Sequence, residues 1–142
     1  MRCGAVRDAI VTAIEAITPD HMASKGDLFR AHDFETPGRD RAFRVDRISP
    51  QAPSAELMTT LGSGPDAYEV AFELSVIYLD GPGTTDRRLA DGDRCIDALR
   101  AIPGDHTQIR HVDISGSADN LDPGGFWLTS WDLLITYDRR DP

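Results

Sequence analysis

The sequence predicts an α+β fold: a four-stranded antiparallel or mixed sheet with two helices packed on one face, in the order α-β-β-α-β-β. Three observations predict it. Apolar residues near the start recur at steps of three and four, two long runs alternate with the period of a strand, and a second helical pattern stands between those runs. Elements in this order, without strict βαβ alternation, bury their apolar stripes by laying helices against one side of a sheet.

Val6, Ala9, Ile10, Ala13, Ile14 and Ile17 share one stripe of a helix, while Arg7, Asp8, Thr12 and Glu15 face elsewhere. Pro19 ends that helix, because proline disfavours helical dihedrals in the residue before it. Asp20 to Asp40 has no sustained period and reads as a long connection, with Leu28, Phe29 and Phe34 available to pin part of it down. From Arg41 to Ile48 the pattern alternates, Phe43 and Val45 against Arg44 and Asp46, as in a half-buried strand stopped by Ser49, Pro50 and Pro53. Gln51 to Asp66 is a second long arm, apolar only at Leu57, Met58 and Leu61.

The strongest strand follows, with Tyr68, Val70, Phe72, Leu74, Val76 and Tyr78 on one face. Ala71, Ile77 and Leu79 on its other face mark it as central. Gly81-Pro82-Gly83 turns the chain into a second helix from Asp86 to Ile102, carrying Leu89, Ile96, Leu99 and Ile102 and ended by Pro103-Gly104. Gly92 weakens that helix by about 1 kcal/mol relative to alanine, so packing must hold it. Gln108 to Ser115 reads as a strand with Arg110, Val112 and Ile114 on one face, and Gly116 to Gly125 as a hairpin loop. The last strand sets Trp127, Thr129, Trp131, Leu133, Ile135 and Tyr137 against Ser130, Asp132, Thr136 and Asp138.

At 142 residues the chain is expected to form a single domain, 1–142, with a core of its own. The 24 acidic against 15 basic residues give a formal charge of −9, a surface that repels phosphate backbones. Cys3 and Cys95 stand far apart with no C-x-x-C, so a disulfide framework is not expected, and Cys95 reads as a small buried residue. No run approaches the roughly 20 apolar residues that cross a bilayer, and Asp8 and Glu15 interrupt what a signal peptide would keep apolar. No membrane partner is expected.

The chemistry-bearing motifs are sparse. Gly62-Ser63-Gly64 lacks the Gly-Lys-Ser/Thr ending of a phosphate-binding loop, and Lys25 is the only lysine. No G-x-S-x-G elbow exposes a serine, and Ser115-Gly116-Ser117 suits a turn. Histidines fall beside aspartates at Asp20-His21, His32-Asp33, Asp105-His106 and His111-x-Asp113. His111 and Asp113 would share a strand face and could supply two ligands to a small metal-dependent enzyme; a site needs three or four, and a solvated polar face is the simpler reading. Neither an active site nor a cofactor is therefore expected. Arg39, Arg41, Arg44 and Arg47 form the densest basic cluster, interrupted by Asp40 and Asp46. Mixed signs fit solvated surface, or ion pairs within or between subunits, better than nucleic-acid contact. Leu57, Met58 and Leu61 either tuck into the chain's own core or form a contact patch for a neighbour. These seven residues are the candidate subunit interface.

The opener Val6 to Ile17, the strand Tyr68 to Leu79, the helix Asp86 to Ile102 and the closing strand Phe126 to Tyr137 together resemble the tail terminator proteins of long-tailed bacteriophages, and the related tail-completion and minor tail proteins. The resemblance spans most of the chain and lies in the order of elements. It implies a structural virion protein of tail and neck, assembled in the host cytoplasm as a homo-oligomeric ring, hexameric in that family. Such a ring caps the head-proximal end of the tail tube. Implied partners are further copies of the chain, the tail tube protein and a head-closure or connector protein, with DNA passing through the lumen without specific binding. Another ring component of the neck or tube is the alternative role.

Overall fold

The N-terminal apolar stripe folds as α1 (Cys3–Glu15), burying Val6, Ala9, Ile10 and Ile14, with Ile17 following them into the core. The computed structural model describes residues 1–17, 40–53 and 67–139, together with the backbone of 30–31.

The sheet is built on β4 (Ala67–Leu79), which pairs antiparallel with β6 (Phe126–Asp138) along its whole length, from Ala67 opposite Asp138 to Leu79 opposite Phe126. On one side of this pair β2 (Ala42–Arg47) runs antiparallel to β4, and on the other β5 (Ile109–Asp122) runs antiparallel to β6. Two short strands enlarge the expected four. β1 (Arg30–Ala31) lies parallel to β2, and β3 (Ala52–Pro53) pairs with Glu69 and Tyr68 of β4. The strand order is β1-β2-β4-β6-β5, with β3 off that path. Two residues are too few to show a period in sequence, and Pro53, having no N–H, is tolerated because β3 lies off the main ladder.

The expected faces of β4 and β6 are the observed ones. Val70, Phe72, Leu74, Val76 and Tyr78 join Trp131, Leu133, Ile135 and Tyr137 in one buried cluster with Phe43 and Val45 of β2. Both helices close over it. The second, α2 (Thr84–Asp105), contributes Cys95, Leu99 and Ile102. It runs beyond the expected stop, taking Pro103 into its last turn, where His106 N–H donates to the Ile102 carbonyl at 3.0 Å. A proline there forfeits one hydrogen bond close to the end of the ladder. Gly83 before α2 has φ 77°, in the left-handed region that glycine adopts without penalty.

β5 departs most from expectation. The register shifts between Ile109 and His111, and this bulge turns both Ile109 and Val112 inward while Arg110 points out, where its Nε donates to Asp138 Oδ1 at 2.7 Å. The expected grouping of Arg110 with Val112 assumed a strand without that extra residue. A second shift lies between Ile114 and Gly116. Beyond it the segment expected to be a loop continues as strand to Asp122, paired residue for residue with β6. The connection is only residues 123–125. Asp122 Oδ1 accepts from Gly124 N–H at 2.7 Å, and Gly125 sits at φ 86°. The polar stretch takes β structure because its partner strand imposes it.

Candidate assembly surfaces

The basic cluster divides. Arg41 has its side chain 4% exposed, and its Nε donates to the Asp91 carboxylate of α2 at 2.8 Å. Its φ of 64° is the one left-handed value among the described non-glycine residues. Asp40 beside it pairs with Arg87, one turn before Asp91 on α2, at 2.6 Å, and accepts from Leu79 N–H at 3.0 Å. Two adjacent charges before β2 thus meet two opposite charges one helical turn apart. Arg41 departs from the interface expectation because this matching draws it into the fold.

The Tyr78 ring lies beneath that corner. Burial first, and the Asp91 charge second, push the Tyr78 hydroxyl up from its ordinary pKa. Burial likewise raises Asp91, opposed by the Arg41 charge, and pushes the Cys95 thiol up to about 12. The corner has no described group in a reactive state: the thiol stays protonated at neutral pH, and the carboxylate is held by a guanidinium.

Arg44 and Arg47 remain at the surface. Arg44 is partly exposed and pairs with Asp46 at 2.6 Å, while Arg47 and Ile48 beyond it are exposed, Ile48 at 53%. Arg39, Leu57, Met58 and Leu61 lie outside the described residues. His111 and Asp113 do share a face, opposite Thr136 and Leu134 of β6, and both are exposed. Among the described residues no three histidine, cysteine or carboxylate groups come together as a metal site; His21 and His32 lie outside that set. Nor is any described helix long and apolar enough to cross a membrane.

No family model and no curated protein matches the chain.

Sequence inspection missed a feature of the sheet face opposite the two helices. Asp46 of β2 stands directly across from Glu73 of β4, and Glu73 directly across from Asp132 of β6. Residues opposite one another point to the same side, so three carboxylates line up across three strands. Next in that row is Gly116, where a Cβ would lie 3.5 Å from Asp132 Oδ2. Glu69, Asp113 and Asp122 share the face, with Arg44 among them. Like charges placed directly opposite one another destabilise a sheet. Strand alternation showed each acid on the polar side; only the register shows them side by side.

Proposed function

We propose that the protein is a non-catalytic assembly subunit that closes into a ring around a passage for DNA, in the manner of the tail terminators it resembles. The observation that carries this reading is the acidic row Asp46-Glu73-Asp132 on the sheet face turned away from both helices. A folded chain gains nothing from like charges set opposite one another. A lumen wall does, since fixed negative charge keeps a phosphate backbone from adsorbing while it passes.

The body supports the same reading. The four long strands, reached in the order helix-strand-strand-helix-strand-strand, form a platform stiffened on one side by α1 and α2. The ionisable groups in its interior are engaged structurally, as at Arg41 and Asp91. The partners are copies of the chain, a tail tube protein below the ring and a connector above it, and the site of action is the neck of the particle.

Electron microscopy of phage particles made with and without this protein tests the proposal. With it present, a labelled copy localises to the junction of tail and head. Without it, heads and tails accumulate unjoined. Normal particles in its absence would contradict the role.

A further inference from the structure

The second half of β5 forms an open edge of the sheet. Gly116 to Asp122 keeps unbroken register with β6, and every residue from Ser117 to Gly125 is exposed. Backbone hydrogen bonds fix which way its polar groups point. Arg41 N–H donates to the Ile77 carbonyl at 2.7 Å and Ile48 N–H to that of Ala71 at 2.9 Å, so the odd-numbered residues of β4 bond toward β2 and the even-numbered ones toward β6. Carried through the registers, Trp127, Thr129 and Trp131 of β6 bond β4, while Phe126, Leu128, Ser130 and Asp132 bond β5. On β5 itself, Gly116, Ala118, Asn120 and Asp122 therefore bond β6, and Ser117, Asp119 and Leu121 aim N–H and C=O outward. Among the described residues no backbone group receives them. An unpaired, regular edge is a template for another strand.

The two faces beside this edge differ. The side chains of Ser117, Asp119 and Leu121 lie on the helix side, opposite Trp131, Thr129 and Trp127. A cleft of about 250 Å³ adjoins the edge there, with Leu89, Gly92 and Ile96 of α2 and Trp131 of β6 in its wall. The Asp119 carboxylate is already engaged, held by Arg88 at 3.1 Å and by the Thr129 hydroxyl that donates to it. What the helix side still offers is apolar: Leu89 is 66% exposed, and Leu121 53%.

On the acidic face Asp132 stands opposite Gly116, and a Cβ on that glycine would meet Asp132 Oδ2 at 3.5 Å. The carboxylate thus leans over the glycine toward the edge. No ion pair engages it among the described residues.

We propose that this edge accepts an added strand from a partner protein, an extended segment in which apolar side chains alternate with lysine or arginine. Main-chain bonds to Ser117, Asp119 and Leu121 hold the segment, and the two faces select its side chains. Its apolar residues turn to the helix side and cover Leu89, Ile96 and Leu121. Its basic residues fall on the acidic face. The one opposite Gly116 meets no intervening side chain and reaches Asp132, so the row Asp46-Glu73-Asp132 ends on the opposite charge. A second copy of the same edge supplies no such charge, since residues 116–122 contain no basic side chain. The site stands whether or not the subunits close into a ring.

A short synthetic peptide alternating lysine with valine tests the site, against a peptide of the same composition with its lysines grouped at one end. The alternating peptide is expected to bind the full chain about tenfold or more tightly than the grouped one. It is also expected to slow hydrogen exchange at the Ser117, Asp119 and Leu121 amides, which are open in the free protein. Ser117→Pro removes an outward N–H without touching the ladder to β6, so the fold is kept, as circular dichroism verifies, while binding should weaken by about tenfold or more. Asp132→Asn should weaken the lysine peptide and leave a threonine–valine counterpart unaffected.

Equal affinity for the alternating and grouped peptides, unchanged exchange at the three amides, or indifference to Ser117→Pro would overturn the site. Dimers of the wild type in analytical ultracentrifugation that Ser117→Pro abolishes, with no peptide bound, would also overturn it and assign the edge to a second copy. Closed rings in a preparation that binds no peptide would overturn it while leaving the ring reading intact.

Discussion

The charge at Arg41 is held where a smaller residue would be expected, in a left-handed backbone conformation and almost fully buried against Asp91. Removing one partner of such a pair strands the other charge. Arg41→Ala should lower stability by about 3–5 kcal/mol, whereas replacing both partners, Arg41→Met with Asp91→Leu, should recover most of that loss. Urea denaturation of the three proteins decides it, and equal loss in the single and double variants would contradict the pairing. The Asp91 carboxyl also sets a sign for pH. Burial raises its folded pKa above the ordinary 3.8, so its favourable contribution is complete below that value and is lost as pH rises through the folded one. The stability of the wild type relative to Asp91→Asn should therefore fall as pH is raised from about 4 toward neutrality; a difference flat in pH would contradict burial as the dominant cause. Cys95, with its thiol pushed up to about 12, should resist thiol reagents until the chain unfolds, while the partly exposed Cys3 reacts in the native state.

Among the elements, α2 carries a glycine whose replacement should help. A Cβ at Gly92 would meet only the Trp131 ring, at an ordinary 3.6 Å, so Gly92→Ala should raise stability by about 0.5–1 kcal/mol. Thermal unfolding measures this, and a loss would show that the ring has no room to adjust. Leu99→Ala, on the buried stripe of the same helix, should lower stability by about 2–5 kcal/mol. These residues were legible before any coordinates. The stripe of α1 and the alternating faces of β4 and β6 were set by apolar period alone, and they fixed which side of the sheet the helices cover; of the expected α2 stripe Leu99 and Ile102 are buried, but Leu89 is 66% exposed, because the buried side of α2 turns through Asp91 and Cys95 instead. The second half of β5 was not legible, because Gly116 to Asp122 is polar on both faces and takes its conformation from β6. The bulge near Arg110 was hidden for a related reason: an inserted residue shifts the period, and only the partner strand reveals the shift. The basic cluster was visible in the sequence, and its members Arg44 and Arg47 stay at the surface. The burial of Arg41 was not, since it depends on Asp91, fifty positions away in sequence.

For the molecule as a whole, one face of the sheet holds the core together, and the other, although buried at Ala42, Ser75 and Ile77, sets Asp46, Glu73 and Asp132 side by side. If that charge serves to repel a passing duplex, Glu73→Lys with Asp132→Lys should retain duplex DNA at low salt and release it as salt rises, while the wild type retains none. Equal retention by both would contradict the acidic face as the cause. The acidic row could be read only from strand register, which no composition or motif encodes; the overall negative charge hinted at it without placing it. The measurement that tests the central claim most directly is a residue-resolution reconstruction of the assembled protein at the neck of a phage tail. The account predicts a closed ring with Glu73 and Asp132 facing the lumen and both helices outside. A ring with those carboxylates turned outward, or no ring at that position, would contradict it.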